Sequence, residues 1–214
     1  MKFHNIAALA ATVALVSACE VNVRNDTAAE TNQPTAQQQR DAQLAQMRDQ
    51  ARQELNQLRI VVDKSDRQVQ LFNGDQLLRT EQVAIGQEEH ATPTGSWRIE
   101  QVDLNPEWIP PDSDWARNET RKAPGDPENP MGRARLIYNP PYSIHGTDEQ
   151  DSLGRKASHG SIRVANSVVL ELAQMVIKAG GAWEGDQWFQ ERINNRSREF
   201  QIRLDNPIPI EVRD

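Results

Sequence analysis

The feature that most constrains the fold is a series of short β-rich segments that never alternate with helices in a strand–helix–strand order. Hydrophobic residues recur at every second position in several of these segments, as they do in strands with one wet face. The predicted strands are 59–63, 68–72, 77–85, 96–102, 200–204 and 208–212. Asn73-Gly74-Asp75 is a hairpin turn signal between two of them. The candidate core residues are Val69, Leu71, Val83, Ile85, Trp97 and Ile99.

This pattern predicts a mainly β domain at residues 59–212, either a β-sandwich or a partly closed barrel, with flanking helices. Asn166 is an expected N-cap for a helix whose apolar face extends to Ala179 and which Gly180-Gly181 ends. A second short helix is expected within residues 183–196.

An amphipathic helix is predicted at residues 42–58, before the domain. Its apolar residues recur at three- and four-residue steps, with polar residues between them. The helix either packs on the domain behind it or pairs with a partner helix. Because the segment holds too few heptads for a coiled coil, packing or a spacer role is favoured.

The N-terminus resembles a bacterial lipoprotein signal. Residues 1–18 combine Lys2 with an apolar core too short to span a membrane as a mature helix. They lead to Cys19, the only cysteine, at the position where a lipobox places the lipidated residue. The alternatives are a plain signal peptide or a buried apolar helix. The lipobox predicts an exported protein anchored to the periplasmic face of a bacterial membrane; Glu20 favours the outer membrane, and residues 19–41 would form a flexible tether.

The charge balance excludes nucleic acid as a partner. The formal net charge is −7 and the pI is about 5.2, whereas phosphate binding needs a basic surface. A small amphoteric substrate such as a peptide remains compatible with it. No metal site is expected, because His4 lies in the signal segment and His90 stands alone in a loop. No glycine-rich nucleotide motif is present either, so no cofactor is predicted.

Residues 103–130 form a long segment without periodicity, rich in proline and acidic residues. Loops of this length in a compact domain usually serve as lids or binding loops. Trp108 in this segment could line a groove for substrate or could anchor the loop in the core. Both interpretations stay open at this point.

The segment from Tyr142 to Val164 carries the candidate chemistry. It contains His145 and His159, each followed by glycine, and Ser161 comes two residues after His159. A serine hydroxyl becomes a useful nucleophile when a neighbouring base takes its proton, and histidine is the usual base near neutral pH. The same residues would also suit an ordinary polar loop, so the pattern is a hypothesis for geometry to test.

Several motifs in this order resemble the L,D-transpeptidase (YkuD-type) family. They are IHGT at 144–147, SHGSIRV at 158–164, TPTGSW at 92–97, NPEWIPP at 105–111 and GDPENPMG at 125–132. The resemblance extends over roughly residues 59–212. Two positions depart from the family pattern: Ser161 stands where the family has its nucleophilic cysteine, and Val168 stands where many members have aspartate.

The resemblance implies acyl transfer between peptidoglycan stem peptides, with no cofactor. His145 would be the general base and Ser161 would occupy the nucleophile position. His159 with Gly160 would shape the loop, and backbone N–H groups near Gly160 and Ser161 would hold the oxyanion. Four residues would surround the substrate, namely Gly146, Ser158, Arg163 and Trp108. Arg163 would either bind a substrate carboxylate or form a structural salt bridge.

Serine in place of cysteine leaves a second possibility. A thiol is partly ionised near neutral pH, whereas a serine hydroxyl needs its proton removed as it attacks. The alternative is therefore a catalytically silent lipoprotein that uses the same groove to hold peptidoglycan stem peptides.

Overall fold

The computed structural model describes residues 33–214. The predicted signal peptide, Cys19 and the first part of the predicted tether therefore lie outside the described residues. The helices are α1 Ala36–Glu54, α2 Asn166–Ala179 and α3 Asp186–Asn194. The strands are β1 Leu58–Asp63, β2 Gln68–Asn73, β3 Gln76–Gln82, β4 Ile85–Gly86, β5 Gly95–Leu104, β6 Ala134–Asn139, β7 Tyr142–Thr147, β8 Lys156–Ser158, β9 Ile162–Ala165 and β10 Phe200–Arg213.

The strands form one eight-stranded sheet in the order β3-β2-β1-β10-β5-β6-β7-β9, and β4 pairs with β8 beside it. The pairs β1–β10 and β7–β9 are parallel, and the other neighbours in the large sheet are antiparallel. Just after β3, Ala84 exchanges two backbone hydrogen bonds of 2.9 Å with Arg163 of β9. This contact brings the two ends of the sheet together, so the sheet is nearly closed into a barrel. The predicted mainly β fold with flanking helices is confirmed.

Two predicted strand boundaries change. The segments 200–204 and 208–212 belong to one strand, β10, whose register against β5 shifts between Arg203 and Ile208. A bulge bends a strand without ending it, which is why the polar residues between the two apolar runs looked like a break. The predicted strand 77–85 is divided into β3 and the short β4.

The hydrophobic core lies between one face of the sheet and α2. The side chains of Ile144, Ile162 and Val164 are completely buried on that face, and α2 contributes Val169 and Leu172 to the same cluster. Helix α2 ends at Ala179, and Gly181 has φ +81°, as the predicted glycine stop requires. The six predicted core residues all belong to this cluster; Trp97 is the one that stays partly exposed.

Helix α1 begins earlier than predicted and also ends earlier. Thr35 caps it through a capping box with Gln38, so residues 36–41, expected in the tether, are helical, and residues 55–58 are not. Arg48 attaches the helix to the domain by donating to the Glu184 carboxylate at 2.8 Å. The helix thus packs on the domain through part of its length and exposes most of its surface.

Asn166 was predicted as an N-cap, and that prediction is wrong. The N-cap position is Ala165, and the Asn166 side chain makes two longer-range contacts instead. Its Oδ1 accepts from the Arg133 backbone N–H at 2.8 Å, and its Nδ2 donates to Asp148 Oδ1 at 2.7 Å. Asn166 therefore connects the start of α2 to the chain before β6 and the chain after β7.

None of the helices in the described part of the chain is long and apolar enough to cross a lipid bilayer.

The turn before β5 is attached to the loop between β8 and β9 by a buried hydroxyl. Thr92, which is 3% exposed, accepts from the Gly86 N–H at 2.8 Å and donates to the Gly160 carbonyl at 2.9 Å. Both partners are buried backbone groups. Removing the hydroxyl would leave a donor and an acceptor without a partner, which is costly in a protein interior.

We expect Thr92→Val to lower the free energy of unfolding by about 2 kcal/mol, since it keeps the shape of the side chain and removes both hydrogen bonds. The measurement is urea unfolding, together with hydrogen exchange at the Gly160 and Ser161 amides, which should become faster. Thr94→Val is the matched control, because Thr94 is exposed and its hydroxyl accepts only from Lys64. Equal stability of the two variants would contradict the role assigned to Thr92.

Candidate active site

Ser161 lies at the end of the loop that joins β8 to β9, and its side chain is half-buried. Its Oγ accepts a hydrogen bond of 3.2 Å from the backbone N–H of Ser143 on β7. Because β7 and β9 are parallel, with Ile144 opposite Ile162, Ser161 lies opposite Ser143. The parallel pairing thus holds the hydroxyl at the edge of β7, two residues before His145.

The loop before Ser161 needs glycine at position 160. Gly160 has φ +107°, and a Cβ there would lie 2.5 Å from Cε1 of Tyr142. The Gly160 N–H donates to Ser158 Oγ at 3.2 Å, and the Ser158 hydroxyl donates to the Ser161 carbonyl. The Gly160 N–H, expected to hold an oxyanion, is therefore already engaged in this structure.

Two residues predicted to contact substrate, Ser158 and Gly146, are buried. Ser158 is 1% exposed and closes the hydrogen-bonded turn around Ser161. Gly146 is also buried, and a Cβ on it would lie 2.2 Å from Asn166 Oδ1 and 2.9 Å from Val169 Cγ1. For Gly146, close packing of β7 against α2 explains the glycine, and direct contact with substrate does not.

His145 is buried in β7 and is 3% exposed. Its Nδ1 lies 2.9 Å from the Gly146 carbonyl oxygen, which can only accept, so the proton of the neutral ring is on Nδ1 and the lone pair is on Nε2. The pKa of His145 is lowered to about 4, mainly by burial; the charges of Arg163 and Arg135 also lower the pKa, and the Gly146 and Pro130 carbonyls raise it in part. At neutral pH the side chain is an uncharged base.

The register brings the candidate residues close together in the sheet. His145 pairs directly with Arg163, so these two side chains point to the face opposite the hydrophobic core. Ser161 lies just before β9, and the Ser143 N–H of β7 holds its Oγ. Ser161 and His145, both among the described residues, are not hydrogen-bonded to each other, so a proton transfer between them needs the two side chains to move closer on substrate binding.

Arg163 forms the salt bridge that was one of its two predicted roles. Its Nη1 lies 2.7 Å from Glu149 Oε2, and its side chain is 15% exposed. Its Nε is buried and has no hydrogen-bond partner. The guanidinium lies beside His145, so its charge contributes to the site even while Glu149 holds one end of it.

Trp108 does not line a groove. It is 7% exposed, and its backbone pairs with Lys122 within the long loop, so it anchors the loop, which was the other interpretation. The tryptophan that reaches the site is Trp115, on a single 3₁₀ turn at Asp114–Ala116. Nothing in the sequence shows which of the two tryptophans is buried and which lies at the site, because neither lies in a periodic segment.

Trp115 stacks on His159 beside Ser161. The two ring centroids are 3.9 Å apart and the planes differ by 6°. His159 also contacts His90, which was expected to stand alone: the centroids of the two imidazole rings are 5.1 Å apart. Partial burial lowers the pKa of His159, and the nearby His90 and Arg163 lower it further. His159 is thus a stacked, largely neutral surface group that connects the long loop to the Ser161 loop.

Within residues 33–214, no group of three or more His, Cys, Asp or Glu side chains is arranged to hold a metal ion.

The buried His145 predicts a dependence of stability on pH. Its folded pKa is about 4 and its ordinary value is 6.5, so the unfolded chain takes up a proton first as the pH falls. The stabilisation is fully present above about pH 6.5 and is lost as the pH falls towards 4; between about pH 7 and pH 4.5 the loss is about 2 kcal/mol.

Carboxylates titrate in the same window, so the measurement is a comparison of wild type with His145→Gln by urea unfolding across that range. The wild type should lose about 2 kcal/mol more than the variant over this window. Parallel pH profiles for the two proteins would show that His145 is not the group responsible.

Comparison with known proteins identifies the family of the domain. The sequence profile of the YkuD family, described as the L,D-transpeptidase catalytic domain, matches residues 57–186. A protein of Fuscovulum blasticum described as an L,D-transpeptidase is 32% identical over 121 residues, which are 54% of this chain and 63% of that protein. The Bacillus licheniformis protein named L,D-transpeptidase YkuD is 32% identical over 119 residues, covering 55% of this chain and 59% of the relative. The chain thus spans less than two thirds of either relative.

Among solved structures, a mutant of an Enterococcus faecium L,D-transpeptidase, with serine in place of a cysteine, has the same fold. The TM-score is 0.50 at 16% identity, and the match covers 74% of this chain and 50% of that one. Together with the profile match over more than half of the sequence, the nearly closed sheet gives one conclusion: this chain belongs to the YkuD family of L,D-transpeptidase catalytic domains.

Proposed function

We propose that the protein carries out L,D-transpeptidase-type acyl transfer on peptidoglycan stem peptides, with Ser161 as the residue that carries the acyl group. The observation that supports this most is that the half-buried Ser161 hydroxyl is held at Ser143 of β7, two residues before a neutral His145 whose Nε2 carries the free lone pair, in a domain of this family. Peptidoglycan is a substrate class compatible with the net charge of −7, which disfavours polyanions.

In the first step, Ser161 Oγ attacks the carbonyl carbon of the donor peptide bond, and His145 Nε2 takes the hydroxyl proton. The tetrahedral intermediate collapses when the bond to the leaving amine breaks, and His145 returns the proton to that amine. The product is an ester between the donor peptide and Ser161, together with a released terminal amino acid.

In the second step, an acceptor amine attacks the ester carbonyl and gives a proton to His145. Collapse of this intermediate expels Ser161 Oγ, which regains its proton from His145. The result is a new peptide bond between two stem peptides; if water takes the place of the amine, the result is a shortened peptide.

The proposed serine reaction should be slower than its cysteine counterpart. A thiol, with an ordinary pKa of about 8.5, forms a thiolate far more readily than an alcohol forms an alkoxide. His145 is also a weak base, because burial lowers its pKa to about 4. Both effects raise the cost of the first proton transfer.

The same observations favour one alternative, a catalytically silent protein that binds stem peptides in this groove. A weakly basic His145, together with a Ser161 hydroxyl that accepts from the Ser143 N–H, is a geometry that can bind a peptide without cleaving it. The two functions differ in whether Ser161 forms an ester.

The test is mass spectrometry of purified disaccharide-tetrapeptides incubated with the protein and with Ser161→Ala and Ser161→Cys. We expect cross-linked dimers or tripeptides from the wild type, a loss of more than about a hundredfold in Ser161→Ala, and a faster reaction in Ser161→Cys. Ser96→Ala is the control, since Ser96 is an exposed serine on β5.

The outcomes separate the two functions. A reaction by the cysteine variant alone would mean that the serine protein is the silent binder. If neither protein forms products and neither binds the tetrapeptide, both proposals are wrong.

We also propose that Cys19 carries a lipid anchor that holds the domain at the periplasmic face of a bacterial membrane, with Glu20 favouring the outer membrane. This rests on the lipobox-like sequence alone. In cells, Cys19→Ser should move the protein from the membrane fraction to the soluble fraction and remove the mass of the acyl chains. Retention of the variant in the membrane fraction would refute the anchor, and separation of inner from outer membranes would test the role of Glu20.

A further inference from the structure

A row of polar side chains crosses the sheet on the face that carries His145. Register places Asp103 on β5 opposite Arg135 on β6, Arg135 opposite His145 on β7, and His145 opposite Arg163 on β9. Side chains at directly opposite positions point to the same face, with Cβ atoms about 5 Å apart. His145 therefore lies between two guanidinium groups that come from its two neighbouring strands.

Each guanidinium pairs with its own carboxylate. Arg135 Nε lies 2.7 Å from Asp103 Oδ2, and Arg163 Nη1 lies 2.7 Å from Glu149 Oε2. The two carboxylates differ in exposure: the Asp103 side chain is 0% exposed and that of Glu149 is 69% exposed. The Gln101 amide also donates to Asp103 Oδ1 at 2.7 Å, which fixes the buried carboxylate in place.

An arginine beside a buried histidine opposes protonation of the ring, because guanidinium stays charged at every relevant pH. A carboxylate paired with that arginine partly cancels the effect. Water screens the exposed Glu149, whereas it screens the buried Asp103 much less. Asp103 is therefore the stronger of the two compensating charges.

We infer that Asp103, acting through Arg135, is a positioning residue that sets how readily His145 accepts the proton of Ser161. Asp103 holds the Arg135 guanidinium towards β5 and neutralises much of its charge. Without that carboxylate, Arg135 would make the imidazolium harder to form, and the base step would slow. The inference rests on the proposed function only in assigning the proton of Ser161 to His145.

The other groups that face His145 are few. Arg163 comes from β9 with Glu149 attached to it, the Pro130 carbonyl comes from the long loop, and the Gly146 carbonyl holds Nδ1. Glu199 reaches the row from the chain before β10, and its Oε1 lies 3.9 Å from Arg135 Nη2. Burial raises the pKa of Glu199, and the neighbouring Asp103 raises it further, so Glu199 is the weaker partner of Arg135.

The experiment is an NMR titration of the His145 imidazole in the full chain, with Arg135→Gln, Asp103→Asn and the double variant. Arg135→Gln should raise the pKa of His145 by about one unit, and Asp103→Asn should lower it by a similar amount. The double variant should return close to the wild-type titration, because it removes both charges together.

Arg98→Gln is the matched control. It makes the same change of charge on β5, about 17 Å along the strand from Asp103 at the usual rise per residue. Folding is checked in each variant by the dispersion of the backbone amide spectrum. Unchanged His145 titration in both single variants, or shifts no larger than in Arg98→Gln, would overturn the inference.

The titration does not depend on turnover, so the inference and the proposed function can fail separately. If the protein forms acyl products, the pH profile of its rate should move in the same direction as the His145 titration in each variant. Shifts of the titration in a protein that never forms products would refute the proposed enzyme and leave the electrostatic role of Asp103 intact.

Discussion

The parallel pairing of β7 with β9 is the constraint on which the site depends. It places Ser161 opposite Ser143 and Arg163 opposite His145, so groups from two separate strands meet without any direct bond between their side chains. Parallel neighbours need a crossover connection, and here the 14 residues from 148 to 161 supply it, with a 3₁₀ turn and β8 in place of a long helix. That crossover is the loop that carries His159, Gly160 and Ser161.

The pleat of the same two strands separates the core from the chemistry. Ile144 and Ile162 point towards α2 and are completely buried, while His145 and Arg163 on alternate positions point to the opposite face. A slip of one residue in this pairing would exchange the two sets and bury unpaired charges. Gly146 and Asn166 resist such a slip, because the glycine allows α2 to approach β7 and the asparagine connects both to the chain before β6.

The sequence predicted the features that depend on local pattern. Alternating hydrophobic residues located β1, β2, β3, β5 and β10, Gly180-Gly181 located the end of α2, and the paired His–Gly motifs located the segment that holds His145 and Ser161. The strands β6 to β9, which carry the site, were not predicted. Features that depend on contacts between residues far apart in the sequence were not predicted. The Asn166 side chain had a partner 33 residues away, which a capping rule cannot anticipate. Which of Trp108 and Trp115 reaches the site depends on how a long aperiodic loop folds back, and the approach of His90 to His159 depends on a contact between two other loops.

The contact between Ala84 and Arg163 has a consequence for how these molecules behave when crowded together. An open edge of a sheet offers free backbone groups to the next molecule and invites strand-to-strand association. Here the outer edge of β9 is partly occupied by the chain's own Ala84. The other edge, β3, carries Arg79, which pairs both with Glu81 on the same strand and with Glu171 of α2. Neither edge is a flat apolar template, so neither edge invites a second copy to extend the sheet.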